Sequence, residues 1–276
     1  MTGKESTRLA GVIGWPVAHS RSPLLYGHWL RRYRIDGAYL PLAVAPERLA
    51  AAIEGLHALG FRGANVTIPY KEEAMRLCNA LTGPASAVGA VNTVTVRKDG
   101  VLGDNSDAYG FLENIRQGAG WNPAGKRCLI LGAGGAARSI VWGLLNSGAR
   151  EVVVANRTLA RAEALATALG ADSCAWERRA ARMEGMDLLV NATSLGMPGS
   201  APLDLSLDLL PTAALVTDIV YTPLETDLLQ RARRRGNPVV DGIGMLLHQA
   251  TLGFATWFGQ DPAVDADLRA AVLAGR

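Results

Sequence analysis

Three small residues, Gly132, Gly134 and Ala137, occupy the positions of a G-x-G-x-x-A pattern in the segment GAGGAA. The segment follows the apolar run CLIL (128–131), which is typical of a buried strand, and precedes apolar residues at helical spacing. The first glycine permits a tight turn, the second lets the backbone approach a pyrophosphate, and the alanine lets the helix pack close to the strand. The pattern therefore predicts a dinucleotide-binding loop rather than a plain turn.

The end of the next predicted strand indicates which dinucleotide is bound. Folds that bind NAD usually place Asp or Glu about 20 residues after the glycine loop, where the carboxylate binds the ribose 2′-hydroxyl. Here EVVVA (151–155) is followed by Asn156, Arg157 and Thr158. No carboxylate would repel a 2′-phosphate, and the Arg157 guanidinium can bind it with two hydrogen bonds. The pattern favours NADP. The alternative is that Thr158 only caps the next helix and that Arg157 is only solvated. Thr158 can cap the helix and still bind the phosphate, so the two interpretations are compatible.

Polar residues also follow the apolar segments of the first hundred residues, where open α/β sheets bind ligands. They are Asn65, Thr67, Lys71, Asn92 and Asp107, within the segments NVTIPYK, GAVNT and GDNSDAYG. Taken singly, Lys71 is an ordinary surface lysine, and Ser106 or Asp107 is an ordinary helix N-cap. Taken together, a lysine, an aspartate, amides and hydroxyls suit a polyhydroxylated substrate whose alcohol carbon exchanges hydride with a nicotinamide.

Segments with strand and helix patterns alternate along almost the whole chain, which predicts an α/β fold. In the first hundred residues the predicted strands are LAGVIG (9–14), AYLPLAV (38–44) and GANVTI (63–68), and the predicted helices are PLLYGHWLRRY (23–33) and PERLAAAIEGLHALG (46–60). A hairpin follows, with Asp99 and Gly100 in its turn. These elements predict a small α/β domain.

A second series of strands begins near Lys126 and alternates with helices, which predicts a parallel sheet covered on both faces. Its predicted strands are CLIL (128–131), EVVVA (151–155), DLLV (187–190), ALVTDIV (214–220) and PVV (238–240). GWNPAGK (120–126) is the clearest boundary signal between the two series. The final apolar segment, GMLLHQATLGFATWFG, predicts a helix that could pack on either domain.

Composition and charge limit the classes of partner. The formal net charge of +3 is too small to indicate nucleic-acid binding. The basic cluster RARRRG (231–236) is best explained as a helix end closed by glycine. Three cysteines far apart in the sequence indicate a reducing compartment such as the cytoplasm. Four histidines without metal-ligand spacing predict no metal site. We expect a cytoplasmic protein with a small-molecule substrate and without a signal peptide or membrane span, as a monomer or a homodimer.

The chain resembles the shikimate dehydrogenase family, NADP enzymes that reduce 3-dehydroshikimate in aromatic amino-acid and chorismate biosynthesis. The matching motifs run nearly from end to end: GWPVAHSRSP, NVTIPYKE, GAVNT, GDNSD, GAGGAAR, NRT, NATSLGM, DIVY and DGIGMLLHQA. The resemblance implies an N-terminal α/β substrate domain (1–105 plus 241–276) and a Rossmann-type NADP-binding domain (106–240). It also implies that the last helix returns to the first domain and that the active site lies in the cleft between the two.

The resemblance further implies a role for individual residues. Lys71 and Asp107 are the catalytic pair, and Ser20, Ser22 and Tyr221 bind the substrate carboxylate. The residues that contact the ring and its hydroxyls are Asn65, Thr67, Asn92, Asp107 and Gln249. The cofactor-binding residues are Gly132, Ala133, Gly134, Gly135, Ala136, Asn156, Arg157, Thr158, Thr193, Ser194, Gly242 and Met245.

The two serines of AHSRSP also have a local interpretation. In an extended chain the side chains of residues i and i+2 face the same way, so Ser20 and Ser22 would both reach one carboxylate. Ser22-Pro23 is in addition typical of an N-cap followed by proline at the first helical position. The helix N-terminus would itself favour an anion, so capping and carboxylate binding are compatible.

One motif departs from the family pattern, and three alternatives remain open. The family's GDNTDG is GDNSDA here, with Ser106 and Ala108, while Asp107 keeps its place. The nearest alternative is a quinate/shikimate dehydrogenase paralogue with relaxed substrate or cofactor use. A folate dehydrogenase of related architecture would not explain GAVNT and DGIGMLLHQ together. A non-catalytic NADP-binding regulatory protein would be free to lose Lys71 and Asp107.

Overall fold

A computed structural model of the protein describes residues 7–275, which divide into two compact units. The chain crosses between the units after Ser106 and after Leu246, so that the second unit is one continuous stretch, Asp107–Leu246. The first unit combines the residues on either side of that stretch. The loop 120–126, which composition marks as a boundary, instead lies inside the second unit, because the helix before it packs with that unit.

A mixed sheet forms the centre of the first unit. Its strands are β1 (Arg8–Gly14), β2 (Gly37–Ala43), β3 (Phe61–Val66), β4 (Ala80–Leu81), β5 (Thr93–Arg97) and β6 (Gly100–Asp104). The helices from the same part of the chain are α1 (Ser22–Arg32), α2 (Leu49–Ala58), α3 (Lys71–Arg76) and α4 (Gly83–Val88). The strand order is β2-β1-β3-β5-β6-β4; β1 runs parallel to β2 and β3, and β5 runs antiparallel to both of its neighbours.

A parallel sheet forms the centre of the second unit. Its strands are β7 (Arg127–Leu131), β8 (Glu151–Asn156), β9 (Asp172–Ala175), β10 (Leu188–Asn191), β11 (Leu215–Asp218) and β12 (Val239–Val240). The remaining helices are α5 (Asp107–Ala119), α6 (Gly135–Asn146), α7 (Leu159–Leu169), α8 (Asp227–Arg235), α9 (Ile243–Phe258) and α10 (Ala266–Ala274). Every neighbouring pair is parallel and the order is β9-β8-β7-β10-β11-β12, which is the doubly wound order of dinucleotide-binding sheets.

The second sheet is apolar on both faces, as its continuous apolar strands predict. Successive residues of β7 point to opposite faces, so Ile130 packs with α6 while Leu129 and Leu131 pack on the other side. Both faces are fully buried, which explains why the strands lack the alternation of a half-exposed sheet. The short edge strand β9 has the polar sequence DSCA, and for that reason the sequence pattern does not predict it.

The first sheet packs a helix on one face and an aromatic cluster on the other. On one face the side chains of Leu49, Ile53 and Leu56, one stripe of α2, are buried against the sheet. The aromatic cluster consists of Tyr26, Trp29, Tyr39, Phe254, Trp257 and Phe258. Because the last three belong to α9, the helix near the end of the chain completes the first unit.

Glycine at position 63 lets α9 approach the sheet closely. A Cβ atom at Gly63 would lie 2.3 Å from Nε1 of Trp257 and 2.1 Å from the carbonyl oxygen of Val94. Neither the indole nor the strand backbone can move that far, so any side chain here would separate α9 from β3.

The predicted hairpin is present with a shifted turn. Lys98 and Asp99 form the turn, and Gly100, with φ of 131°, already pairs with Arg97 as the first residue of β6. A Cβ at Gly100 would lie 2.2 Å from Oδ1 of Asn79, so glycine is required by the neighbouring side chain as well as by φ.

The basic segment 231–236 ends α8 as the sequence predicts, with Gly236 at φ 95°. Arg231 donates hydrogen bonds to the carbonyls of Leu203 and Leu205, and Arg235 donates to the carbonyl of Asp208. These arginines therefore hold the preceding loop. Within residues 7–275, every helix is too short or too polar to cross a bilayer.

Candidate active site

The glycine loop lies where the strand order of the second sheet reverses, between β7 and β10, which is where such sheets bind ligands. Gly132 has φ of 109°, and a Cβ there would lie 2.8 Å from the carbonyl oxygen of Ala192. Gly134 is the N-cap of α6, and a Cβ at this residue would meet no atom within 4 Å. The helix α6 thus begins without a side-chain cap, and the space beside Gly134 is open, an arrangement that fits a pyrophosphate.

The turn after β8 presents a cation beside this loop. Asn156 Nδ2 donates to the Thr158 carbonyl at 2.9 Å, which fixes the turn. Arg157 is exposed and, among residues 7–275, its guanidinium has neither a hydrogen bond nor an ion pair. Thr158 is the N-cap residue of α7, but its hydroxyl makes no capping hydrogen bond. The turn fits a 2′-phosphate, with the arginine and the threonine hydroxyl as its donors.

The other predicted cofactor residues lie in the loops after β10 and β12 and in the first turn of α9. The hydroxyl of Thr193 donates to Asn191 Oδ1 at 2.7 Å and so shapes its own loop, while Ser194 is exposed. Gly242 has no room for a side chain, because a Cβ would lie 2.6 Å from the Ile219 carbonyl group. Met245 is 9% exposed and packs in the core of the second unit.

A buried carboxylate supports the same edge of the second sheet. Asp218 ends β11 and accepts hydrogen bonds from Asn191 Nδ2 at 3.0 Å and from the Thr226 hydroxyl at 2.8 Å. Burial raises the pKa of Asp218, and these bonds together with one from the Val220 amide oppose the rise. The carboxylate therefore ties β10, β11 and the start of α8 together.

Ser20 and Ser22 differ from the extended geometry that the sequence predicts. Arg21 between them has helical dihedral angles (φ −84°, ψ −5°) and is the N-cap residue, so Ser22 is already in α1. The reason is that the Ser20 hydroxyl accepts a hydrogen bond from the Ser22 amide at 3.3 Å and replaces the expected cap. The two hydroxyls still flank a helix N-terminus, where an anion is favoured.

Asn65 is more deeply embedded than the sequence predicts. Its Oδ1 atom accepts a hydrogen bond from the Tyr39 phenol at 2.7 Å and lies 3.2 Å from the Tyr26 phenol, whose single hydrogen also has the Ala250 carbonyl as an acceptor at 3.0 Å. Its Nδ2 atom donates to the Asn92 carbonyl and to the Thr93 hydroxyl, both at 3.2 Å. Burial raises the pKa of both phenols well above the ordinary value, so both are neutral donors. The protein thus takes both hydrogens of the Asn65 amide and at least one lone pair of its oxygen.

Two predicted substrate residues, Asn92 and Gln249, are joined by a hydroxyl. Asn92 Nδ2 donates to Ser106 Oγ at 3.1 Å, and Ser106 Oγ in turn donates to Gln249 Oε1 at 3.1 Å. Asn92, Ser106 and Gln249 are 3%, 0% and 9% exposed. Thr93 joins the group, because its hydroxyl donates to Asn92 Oδ1 at 2.9 Å. Neither Thr93 nor Ser106 was predicted as a site residue; the signal available was that each follows an asparagine, in Asn92-Thr93 and Asn105-Ser106.

The catalytic candidates begin two helices. Lys71 is the first residue of α3, is half-buried, and its carbonyl accepts a hydrogen bond from the Val91 amide. Asp107 is the first residue of α5 and is 6% exposed, in the first turn of a helix, where the dipole stabilises a negative charge. Thr67 lies between β3 and α3, and Tyr221 is half-buried after β11. Lys71 and Thr67 belong to the first unit, and Asp107 and Tyr221 to the second.

The second unit has the strand order, the glycine loop and the open helix N-terminus of a dinucleotide-binding protein, and the first unit has a buried set of amides and hydroxyls at the edge of a mixed sheet. Three family models match the chain: the shikimate dehydrogenase substrate binding domain at residues 12–94, shikimate/quinate 5-dehydrogenase at 116–198, and the shikimate 5′-dehydrogenase C-terminal domain at 242–272. The chain belongs to the shikimate dehydrogenase family.

Individual relatives support this assignment. The chain is 57% identical over 277 residues to a shikimate dehydrogenase (NADP(+)) of Paramagnetospirillum magneticum, with 99% of this chain and all of the relative covered. The crystal structure of shikimate 5-dehydrogenase from Thermus thermophilus with NADP(H) and shikimate is similar, with a TM-score of 0.87, 35% identity and coverage of 96% and 98%. A quinate dehydrogenase from Corynebacterium glutamicum in complex with NAD is also similar, with a TM-score of 0.89, 28% identity and coverage of 97% and 99%.

Proposed function

We propose that this member of the family catalyses the reversible reduction of 3-dehydroshikimate to shikimate with NADPH. The proposal rests on Arg157, which is exposed and unpaired among the described residues. It lies in the turn where NAD-binding folds usually have a carboxylate, next to a glycine loop that fits a pyrophosphate. The relative of Paramagnetospirillum magneticum, which is named an NADP(+) enzyme, supports the same cofactor.

Lys71 and Asp107 are the proposed catalytic pair. Bound NADPH supplies the hydride. As negative charge develops on the substrate carbonyl oxygen, the Lys71 ammonium stabilises it and donates the proton that makes the alcohol. Asp107, in the first turn of α5, orients the ammonium and accepts a hydrogen bond from a neighbouring substrate hydroxyl. In the reverse direction the same lysine accepts the proton.

The remaining site residues divide into those for substrate and those for cofactor. Ser20, Ser22 and Tyr221 bind the substrate carboxylate, and ring contacts are proposed for Asn65, Thr67, Asn92, Asp107 and Gln249. The proposed cofactor residues are Gly132, Ala133, Gly134, Gly135, Ala136, Asn156, Arg157, Thr158, Thr193, Ser194, Gly242 and Met245. This division makes the first unit the substrate unit and the second unit the NADP unit. We also propose cytoplasmic action, as a monomer or a homodimer, without nucleic acid or membrane partners.

The alternative is a paralogue that oxidises quinate or uses NAD, which the similarity to a quinate dehydrogenase in complex with NAD keeps open. Nicotinamide absorbance on mixing the pure protein with shikimate or quinate, each with NADP or NAD, separates the two. Fast reduction with shikimate and NADP alone is the expected result. Fast reduction with quinate or NAD would assign the chain to the paralogue class, and binding of NADP without turnover would indicate a regulatory protein.

A further inference from the structure

A set of five side chains, here called the amide relay, runs through the first unit by hydrogen bonds. Its members are, in order, Asn65, Thr93, Asn92, Ser106 and Gln249. Each step has a direction, because a hydroxyl that accepts at its oxygen has one hydrogen left to donate. The directions determine which end of each amide is oxygen and which is nitrogen.

The relay starts from Asn65, whose orientation does not depend on the other members. Its Nδ2 atom contacts the carbonyl oxygen of Asn92 at 3.2 Å, and a carbonyl oxygen can only accept. The same nitrogen donates to the Thr93 hydroxyl, so Thr93 donates its own hydrogen to Asn92 Oδ1 at 2.9 Å. The Asn65 oxygen accepts from the Tyr39 phenol at 2.7 Å, so the protein holds both ends of this amide.

The orientation of Asn92 is fixed by a second, independent donor. The backbone N–H of Ser106 donates to Asn92 Oδ1 at 2.9 Å, and a backbone N–H can only donate. Asn92 Nδ2 therefore faces Ser106 Oγ at 3.1 Å. A contact of Ser106 Oγ with Asn92 Oδ1 is longer, at 3.3 Å, and that oxygen already accepts two hydrogen bonds.

The last step transmits this orientation to Gln249. Ser106 Oγ accepts from Asn92, so its hydrogen goes to Gln249 Oε1 at 3.1 Å. The oxygen of the Gln249 amide is thus turned towards Ser106, and its nitrogen is at the opposite end. A serine hydroxyl with no exposed surface links two stretches of sequence that are 143 residues apart.

We propose that Thr93 and Ser106 are positioning residues that hold the oxygens of Asn92 and Gln249 inside the protein, so that both amides meet the substrate through their nitrogens. The two amide nitrogens then donate hydrogen bonds to the ring hydroxyls, which act as acceptors. Asn65 anchors the start of the relay. The inference deepens the proposed function, since it takes Asn92 and Gln249 as substrate contacts.

The first test compares two isosteric changes on one strand. Thr93→Val removes a relay hydroxyl, and Thr95→Val removes the hydroxyl two residues on, which accepts from Trp257 Nε1 at 3.4 Å and lies outside the relay. We expect Thr93→Val to raise KM for shikimate about 10-fold, since one buried hydrogen bond and the amide orientation are lost. KM for NADP should stay within about twofold of the parent, and Thr95→Val should leave both constants unchanged. Equal effects of the two changes on KM for shikimate would overturn the proposal.

The second test is a double-mutant cycle between Ser106 and Gln249. Ser106→Ala and Gln249→Ala should each raise KM for shikimate, and the double variant should be no worse than Gln249→Ala alone, because Ser106 acts through Gln249. Ser106→Thr, which keeps the hydroxyl, should restore the parent KM. Urea midpoints of all variants show whether each is folded.

The outcomes of the cycle distinguish the positioning role of Ser106 from the proposed substrate contact of Gln249. Effects of Ser106→Ala and Gln249→Ala that multiply, in folded variants, would overturn the positioning role while leaving the proposed function intact. A normal KM for shikimate in Gln249→Ala would instead remove Gln249 from the proposed substrate contacts, and the positioning role would fail with it.

Discussion

The hydroxyl oxygen of Ser20 accepts a hydrogen bond from the backbone N–H of Ser22 at 3.3 Å. This bond satisfies one of the amides that a helix leaves unpaired at its start, a task usually performed by the N-cap side chain. Ser20 therefore fixes where α1 begins, and its hydroxyl hydrogen remains available for an anion at the helix N-terminus. One side chain combines a structural and a binding role.

Ser20→Ala should weaken substrate binding more than it weakens the fold. We expect KM for shikimate to rise about 10- to 100-fold, the effect of losing a hydrogen bond to a charged group. The free energy of unfolding should fall by about 1 kcal/mol, the cost of a lost cap. Initial rates and urea unfolding measure the two effects. Ser86→Ala, at an exposed position of α4, is the control and should change neither.

Lys71→Ala should remove the proton donor of the proposed reaction. We expect kcat to fall about 10²- to 10⁴-fold, the usual contribution of general acid–base catalysis. KM for NADP should change little, because Lys71 belongs to the first unit and the glycine loop to the second. Lys98→Ala, in the exposed hairpin turn, is the matched lysine control. Turnover close to that of the parent would remove Lys71 from the mechanism.

Arg157→Ala should alter the choice of cofactor without altering the fold. The guanidinium is exposed and has no hydrogen bond or ion pair among the described residues, so its loss should leave thermal stability unchanged. We expect KM for NADPH to rise about 10-fold or more, through loss of a charge-assisted pair with the 2′-phosphate. KM for NADH should be nearly unaffected. Arg150→Ala is the control at another exposed position; an equal loss with both cofactors would show that Arg157 is structural.

Asn65→Ala should be among the most destabilising polar substitutions in the first unit. The change removes the hydrogen bonds of the amide with the Tyr39 phenol, the Asn92 carbonyl and the Thr93 hydroxyl, and it leaves the hydrogen of the buried Tyr39 phenol without this acceptor. We expect the free energy of unfolding to fall by about 2–4 kcal/mol, since each unsatisfied buried group costs about 1–3 kcal/mol. Urea unfolding followed by circular dichroism measures the loss. Asn122→Ala, at an exposed loop, should lower the free energy of unfolding by less than about 0.5 kcal/mol. Equal losses for the two variants would contradict the stabilising role of the Asn65 hydrogen bonds.

Asp218→Asn should change how stability depends on pH. Because the pKa of Asp218 is raised in the folded protein, the folded state holds its proton to a higher pH than the unfolded state does. Unfolding then releases a proton, and stability falls as pH rises from the ordinary carboxyl pKa through the raised one. The variant cannot ionise at this position, so the stability of the parent relative to the variant should decline across that range. Asp208→Asn, at an exposed site, should not reproduce the decline.

Much of the second unit was predictable because its signals are local. The glycine loop, the strands with continuous apolar sequence and the missing carboxylate after β8 all lie in short stretches, and they predicted the sheet and NADP. The comparisons confirm the family, the α/β fold class and the cofactor. The edge strand β9 escaped prediction because its residues are polar and only half-buried.

The substrate unit was less predictable because its hydrogen bonds join distant residues. Asn65 lies in a motif that indicates a binding site, yet its oxygen accepts from a tyrosine of β2 and its nitrogen donates to Asn92 and Thr93. Ser106 lies at a helix start, where capping is the usual interpretation, yet its hydroxyl bonds an amide 143 residues away. The start of α1 was predicted one residue late, because Ser20 rather than Ser22 supplies the hydroxyl at the helix start.

The aromatic side chains of α9 also determine when each unit can form during synthesis. Phe254, Trp257 and Phe258 complete the packing around Tyr26, although α9 leaves the ribosome long after Tyr26. The second unit, Asp107–Leu246, is by then entirely available to fold. Domains usually fold from the N-terminus onward, but here the second unit is fully synthesised before the first. A nascent chain arrested before Leu247 would carry a finished nucleotide-binding unit beside an uncovered aromatic face, the kind of surface that chaperones bind.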